Sequence, residues 1–490
     1  HDSKDAPEMS RLLVGPFNRV EGDLEVRLEV QNGRVQDAWV NAPMYRGFEQ
    51  ILQGKHPLDA LVYVPRICGI CSVTQSVAAA RALAAACGVQ APPNGVWLTN
   101  LMLACENAAD HLTHFYLFFM PDFTRAEYAG RPWHAQAVQR FSALSGTHAR
   151  EALAVRQRWM QIMGTLGGKW PHTQSIVPGG STRNLAAPER HRLGARIAEM
   201  RGFLERVLYG VPLEEVAWKG ADALAQWQEG DLECSDLRLF LRIAADLGLD
   251  ALGRGPDLTL SYGGFADPSG RFSLAPGTWD GSQVQPVNMA HIAEDACHAW
   301  LAEGAGALHP SQGLTQPDVG KPGAYTWNKA PRLQGRVLET GALARQLAQG
   351  QPLLRSLWQQ GRGNVLTRVL ARSMELAQLV LLAEQCLRAI VPGAPCCEET
   401  HLPDEADAVG LCEAARGSLG HWMSIRDGRI ANYQIIAPTS WNFSPRDRQG
   451  VPGALEAALV GALVQDGDKS PVAVQHIVRS FDPCMVCTVH

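Results

Sequence analysis

Cys484-Met485-Val486-Cys487, close to the C-terminus, and Cys68-Gly69-Ile70-Cys71, near the front, share the spacing C-x-x-C. Each pair alone is a weak signal, but together they offer four thiolates to one site. A small zinc ribbon keeps its two pairs roughly 15–20 residues apart. Here almost the whole chain lies between them. Closing so long a loop costs chain entropy that only a large surrounding fold offsets, so the two ends are predicted to meet inside one large body.

Four buried thiolates carry four negative charges, which a single divalent ion only half compensates. Either cationic side chains lie close or more than one metal does. Soft sulfur selects zinc, copper(I), nickel or iron over magnesium or calcium, which bounds the metal class without naming the metal. The bland alternative is a closed structural zinc site. A redox disulfide is weaker, because twelve cysteines in 490 residues are too sparse for a disulfide scaffold and fit a reducing cytoplasm. Cys87, Cys105, Cys297 and Cys386 read as small buried hydrophobes, and the adjacent Cys396-Cys397 are assigned nothing.

Length and composition agree with one body. Apolar residues make up 46% of the chain, enough for a sizeable core, and no linker, repeat or charge block divides it. The net charge of −5 points away from nucleic acid. No apolar run reaches the roughly 18 residues that a membrane span needs, and no secretory signal is present. Residues 1–8, HDSKDAPE, precede Met9 and read as an artificial remnant, which leaves 9–490 as the domain.

Residues 11–40 alternate apolar and polar side chains around Asn32-Gly33, predicting an antiparallel hairpin or meander. A short helix opens at Phe48-Glu49 and a second, Ala-rich one covers 74–88. Longer helices are predicted over 97–120, 136–163 and 186–209, and again across 335–390. Residues 254–330, rich in Gly, Pro and Asp, read as short strands and loops. A hairpin follows Glu413, with its turn at Asp427-Gly428 and its second strand at 430–437. Gly167-Gly168 and Gly179-Gly180 lack any Walker or dinucleotide spacing, so phosphate is not implied.

The flanks of the two cysteine pairs, Arg66-Ile67-Cys68-Gly69-Ile70-Cys71-Ser72-Val73-Thr74-Gln75 and Asp482-Pro483-Cys484-Met485-Val486-Cys487-Thr488-Val489-His490, resemble the two cysteine motifs of nickel-iron hydrogenase large subunits. Further patches extend the resemblance over most of the chain. These are Arg19-Val20-Glu21-Gly22, Tyr45-Arg46-Gly47-Phe48-Glu49, Lys169-Trp170-Pro171-His172, Glu413-Ala414-Ala415-Arg416-Gly417 and Pro438-Thr439-Ser440-Trp441-Asn442. The resemblance implies an α+β fold, mainly helical, with a central long-helix bundle and peripheral antiparallel β hairpins.

It also implies a site. Cys68, Cys71, Cys484 and Cys487 would hold nickel, with Cys71 and Cys487 bridging to an iron that carries carbon monoxide and two cyanide ligands. Arg416 and Thr439 would bind the cyanides, with Ala415, Leu419 and Gln75 also around the cofactor. Asp110 and Asp482 would pair with Arg416 above the metals. Glu49, the His490 side chain and the Ile435 carbonyl would hold magnesium, although oxygen-seeking magnesium gives no independent reason to expect a His. Dihydrogen would be cleaved heterolytically, the proton leaving through Cys484 to Glu21; a competing scheme makes Arg416 the base.

Several positions depart from the common pattern of that family. Gln75 stands where most catalytic members have His, Asp23 where many have His, and Ala415 where proline is usual. Ile70 and Phe118 are bulkier than the residues that usually line the gas passage. Gln75, Ile70, Phe118 and a chain stopping at His490 resemble the hydrogen-sensing, or regulatory, subgroup. That likeness implies a low-turnover sensor signalling to a histidine kinase, rather than an energy-conserving uptake enzyme or a zinc-stapled scaffold. No cysteine spacing remains for iron-sulfur clusters, so a small subunit carrying them is expected as obligatory partner, in a heterodimer or a dimer of heterodimers.

Overall fold

Two long helices, Pro93–Thr113 and Val365–Ala389, form the centre and pack on each other more extensively than any other helix pair among the described residues. Both are buried on nearly every face, as expected of helices that are apolar all round. The second starts at a reciprocal cap: Asn364 accepts the Thr367 N–H at 3.0 Å while the Thr367 hydroxyl accepts the Asn364 N–H at 2.9 Å. This computed structural model describes residues 9–231 and 235–490; the remnant assigned to residues 1–8 lies outside them. One hydrophobic cluster runs from Val14 to Val489, so front and back of the chain share a core.

The expected helices are present but more broken. The predicted 136–163 helix is three, His134–Phe141, Thr147–Trp159 and Gln161–Gly167. The 335–390 stretch is likewise Ala342–Gln349, Pro352–Gly361 and Val365–Ala389. Periodicity carries through such breaks because each new helix presents its apolar face to the same core. The 97–120 helix begins earlier, at Pro93, and after Thr113 widens into a π turn, His114–Phe119, before Pro121, which has no N–H to continue an α-helix.

The front sheet is the expected meander, Ser10–Val14, Glu25–Gln31 and Arg34–Asn41, turning at Asn32-Gly33. At the back, Ala406–Ala414, Gly417–Arg426 and Arg429–Ile436 form a three-stranded antiparallel sheet. Its first strand was not predicted: Ala, Asp, Gly and Glu are poor strand formers, and only pairing and packing hold them extended. That strand lies against the Ser72–Cys87 helix so closely that a Cβ on Gly410 would sit 1.9 Å from the Ala78 carbonyl oxygen. The alanines of this helix make the approach possible. Among the described strands one pairing is parallel, Glu339–Thr340 beside Thr259–Ala266, where only antiparallel hairpins were expected.

The two ends of the chain meet. Glu21 and Cys484 form an isolated parallel bridge, and the Met485 N–H donates to the Glu21 carbonyl at 2.7 Å. The front sheet is also laced to the C-terminal region through Val35, whose N–H donates to Ala462 at 2.9 Å and whose carbonyl accepts from Gly461 at 2.8 Å.

Candidate metal centre

The four cysteines of the two C-x-x-C pairs converge. Cys68 lies in the loop after the Val64–Arg66 turn, Cys71 caps the start of the Ser72–Cys87 helix, and Cys484 caps the terminal Met485–Thr488 turn. Cys68 Sγ is 3.5 Å from Cys484 Sγ, Cys71 Sγ is 3.0 Å from Cys487 Sγ, and Cys484 Sγ is 3.0 Å from Cys487 Sγ. All four sulfurs lie within 4.8 Å of one another, each free to offer one ligand. Only the soft, thiophilic metals suit such a donor set.

The pocket disfavours four bare thiolates. Hydrogen bonding from the neighbouring sulfurs lowers the Cys68 pKa, and Cys71 is correspondingly raised; burial raises Cys484 and Cys487. Four thiolates this close are mutually repulsive in a desolvated pocket, and a bound cation relieves that repulsion. The cationic side chain that the charge argument required is Arg416. Its Nη2 lies 3.1 Å from Asp110 and 3.2 Å from Asp482, without the alignment of a good hydrogen bond, and its Nε donates to the Asp482 carbonyl at 2.9 Å. Burial opposes the guanidinium charge, but Asp110 and Asp482 more than restore it. Burial raises Asp110, whereas Arg416 and His114 hold Asp482 low despite its burial.

Beside the sulfurs is an enclosed cavity of about 10 Å³, near the space one water needs. Ile70, Ala415, Arg416, Leu419, Thr439 and Gln75 line it together with Cys71, Cys484 and Cys487. The Thr439 hydroxyl accepts the Cys484 N–H at 3.0 Å, leaving its own proton to donate elsewhere. Gln75 aims its amide N–H at Cys487 Sγ, 3.9 Å away. Phe118 is not in the lining; it sits half-buried in the π turn, and its carbonyl accepts from Arg19 at 2.6 Å.

Glu106, which sequence reasoning missed, also lines the cavity. It accepts the N–H groups of Val73 and Thr74 at 2.9 and 3.0 Å and the Trp170 indole N–H at 2.9 Å. It thus caps the helix that follows Cys71 and ties it to the Trp170 loop, with burial pushing its carboxyl up to about 7. The available signal was a Glu inside the apolar run Leu101 to Ala109, four residues before Asp110 and therefore on the same helix face.

Glu49 and His490 meet in a second small cavity, with Glu294, Thr315, Lys329 and Ile435 around them. His490 Nε2 is 2.7 Å from Glu49 Oε1, which also accepts the Ile435 N–H at 2.9 Å, and the Thr315 hydroxyl donates to the other oxygen. Burial works against the Glu49 charge, but His490 and Lys329 hold its pKa at about 2. Glu21 lies in the loop before Glu25, and burial together with the Cys68 charge raises its pKa. Gly22 beside it has φ +82°, and a Cβ there would stand 3.0 Å from the Val486 nitrogen.

Of the other cysteines, Cys105 and Cys386 are buried as expected, while Cys87, the last residue of its helix, and Cys297, in the turn after the Ile292–Asp295 strand, are only half-buried. Cys297 lies near Asp295 and Glu303, with Asp295 engaged by Arg448 at 3.0 Å.

Comparison with known proteins agrees with this geometry. Residues 46–129 and 248–490 match the family model described as nickel-dependent hydrogenase. The chain is 31% identical to the periplasmic [NiFeSe] hydrogenase large subunit of Desulfomicrobium baculatum, over 98% of this chain and 95% of that one. It is 27% identical to the hydrogenase-2 large chain of Escherichia coli K12, over 98% and 97%. The solved structure of the H2-activated Dm. baculatum [NiFeSe]-hydrogenase superposes with a TM-score of 0.85 at 30% identity, covering 99% of this chain and all of that one. Both C-x-x-C pairs fall inside the matched segments, and the chain belongs to the nickel-dependent hydrogenase family, as the large subunit of a hydrogenase that cleaves dihydrogen.

Proposed function

We propose that Cys68, Cys71, Cys484 and Cys487 hold a nickel-iron pair whose iron carries one carbon monoxide and two cyanides. The observation that carries this reading is the convergence of four sulfurs within 4.8 Å beneath the Arg416 guanidinium. When bound, that group supplies the Lewis acidity and redox capacity for splitting dihydrogen. Arg416 and the free proton of Thr439 would donate to the cyanides; both side chains line the cavity together with the apolar Ala415 and Leu419.

Cys484 Sγ takes the proton in this reading and passes it to Glu21. The Glu21 pKa, raised by burial, brings the carboxyl closer to the range where proton exchange is fast. Asp110 and Asp482 hold Arg416 charged, which argues against the guanidinium as base. Glu49, His490 and the Ile435 carbonyl are the proposed magnesium ligands; the Glu49 and His490 contact supports a binding place there.

Within the family the chain reads best as a hydrogen sensor. Ile70 lines the cavity, where its bulk suits slow oxygen access while dihydrogen still enters, and Gln75 stands beside Cys487, where a non-titrating amide changes the proton and charge tuning expected of an uptake enzyme. Phe118 is part of the same reading at one remove from the cavity. An iron-sulfur small subunit is the proposed electron-transfer partner, since the described cysteines outside the site form no cluster-binding group. A histidine kinase would receive the signal, and a cytoplasmic location goes with it. No helix among the described residues is long and apolar enough to cross a membrane.

Infrared spectroscopy of the purified complex tests the reading, because carbon monoxide and cyanide bands have no counterpart in protein. Absence of those bands, with stoichiometric zinc and no nickel or iron, would instead establish a zinc-stapled scaffold. A Glu21→Gln variant with undiminished hydrogen/deuterium exchange would remove the proton route. High turnover with a soluble acceptor would replace the sensor reading by an uptake one.

A further inference from the structure

Behind Gln75 lies a buried chain of three polar side chains that ends on a cysteine sulfur. Tyr433 Oη is 2.6 Å from His421 Nδ1, His421 Nε2 is 2.7 Å from Gln75 Oε1, and Gln75 Nε2 is 3.9 Å from Cys487 Sγ. Tyr433, His421 and Gln75 are all essentially inaccessible to solvent, so no water competes for these groups. Two distant segments build the chain: the helix after Cys71 and the hairpin of the back sheet formed by Gly417–Arg426 and Arg429–Ile436.

An amide can point either its N–H or its C=O at the sulfur, and the neighbours decide which. Each ring nitrogen of His421 has one partner, Tyr433 at Nδ1 and Gln75 at Nε2, and a neutral imidazole offers one donor and one acceptor nitrogen to them. In one arrangement the Tyr433 hydroxyl donates to Nδ1, Nε2–H donates to the Gln75 oxygen, and the amide N–H faces Cys487. In the reverse arrangement the amide carbonyl faces Cys487. A metal-bound thiolate is an acceptor only, so the reverse arrangement would set lone pairs against lone pairs in a dry pocket.

We propose that His421, oriented by Tyr433, is a positioning residue that fixes the Gln75 amide with its N–H toward Cys487 Sγ. The inference rests on the nickel-iron reading of the four cysteines and adds to it. The sulfur then receives a hydrogen bond whose donor does not titrate near neutral pH, in place of the imidazole that most relatives carry. The direction of that hydrogen bond is thereby fixed by His421 from one layer further out.

Pulsed electron paramagnetic resonance on the holoenzyme, with glutamine side-chain amides labelled with nitrogen-15, tests this. The paramagnetic nickel of the wild type is expected to show a nitrogen coupling from the amide, lost in Gln75→Leu. His421→Phe is expected to reduce that coupling by more than half and to shift the carbon monoxide and cyanide bands. His421→Gln, which can still donate to the Gln75 oxygen, is expected to restore both. Tyr433→Phe preserves shape and releases the tautomer, so it is expected to broaden the coupling. An unchanged coupling and unchanged bands in a fully metallated His421→Phe enzyme would overturn the proposal, as would a wild type with intact bands and no amide coupling. A wild type without those bands would show that the nickel-iron reading itself is wrong, and the proposal would fall with it.

Discussion

Arg345 Nη2 lies 2.6 Å from Glu375 Oε1, and both side chains are fully enclosed. The same guanidinium donates to the Ala414 carbonyl at 2.7 Å and the Ala415 carbonyl at 2.8 Å, the two peptide groups just before Arg416. Glu375 in turn accepts from His111 at 2.9 Å, so the two central helices are tied to the turn that carries the Arg416 guanidinium. Where Ala415 replaces the stiffer proline expected from the family, Arg345 does the stiffening.

Arg345→Met is therefore expected to cost about 3–5 kcal/mol, because it leaves the buried carboxylates of Glu375 and Glu413 without their shared guanidinium. The turn would loosen as well, so hydrogen cleavage should fall further than the unfolding midpoint accounts for. Urea denaturation beside a hydrogen/deuterium exchange assay separates the two effects. A variant with wild-type stability would show that Arg345 holds nothing.

Burial works against the Glu375 charge, yet Arg345 and His111 keep its pKa at about 2. An unfolded Glu titrates near roughly 4.3. The folded state thus binds the proton less readily, and the stabilisation is complete above the unfolded value and lost as pH falls from there through about 2. Glu375→Gln should lower stability at neutral pH and flatten that acid limb. Thermal unfolding followed between these two pH values would show an unchanged slope if the ion pair is not the cause.

Gly22→Ala is expected to destabilise the closure of the chain ends. Its left-handed backbone, φ +82°, costs a residue with a Cβ roughly 1–2 kcal/mol. The added carbon would also press on the Val486 nitrogen at 3.0 Å, next to the Cys487 ligand. Faster amide hydrogen exchange over Met485–Thr488 in the variant is the measurable sign; unchanged exchange would mean that this turn adjusts freely.

Cys487→Ser removes one soft ligand and offers a hard one in its place. Nickel and iron contents should drop by at least about tenfold, the scale seen when a metal shell is damaged. The substitution exchanges a single atom at the end of a short turn, so circular dichroism should stay close to wild type. Full metal content in the variant would place the ions elsewhere.

The ligand set was legible in the residues themselves, because C-x-x-C spacing and sulfur chemistry are local properties. So were the turns at Asn32-Gly33 and Asp427-Gly428, whose left-handed backbone demands those residue types, and the end of the Ser72–Cys87 helix at Gly88. Arg345 supporting Ala415, Glu106 capping the helix after Cys71, and His421 orienting Gln75 were decided only by the tertiary structure. Each joins residues from distant segments, and nothing in a local stretch specifies which buried polar group another will find. The breaks at Met160 and Gly350 and the weakly strand-forming Ala406–Ala414 belong with them, since packing against the common core overrode local preference there. Chemistry came from residue type and spacing; orientation came from burial, which forces every polar atom to take whichever partner the fold brings within reach.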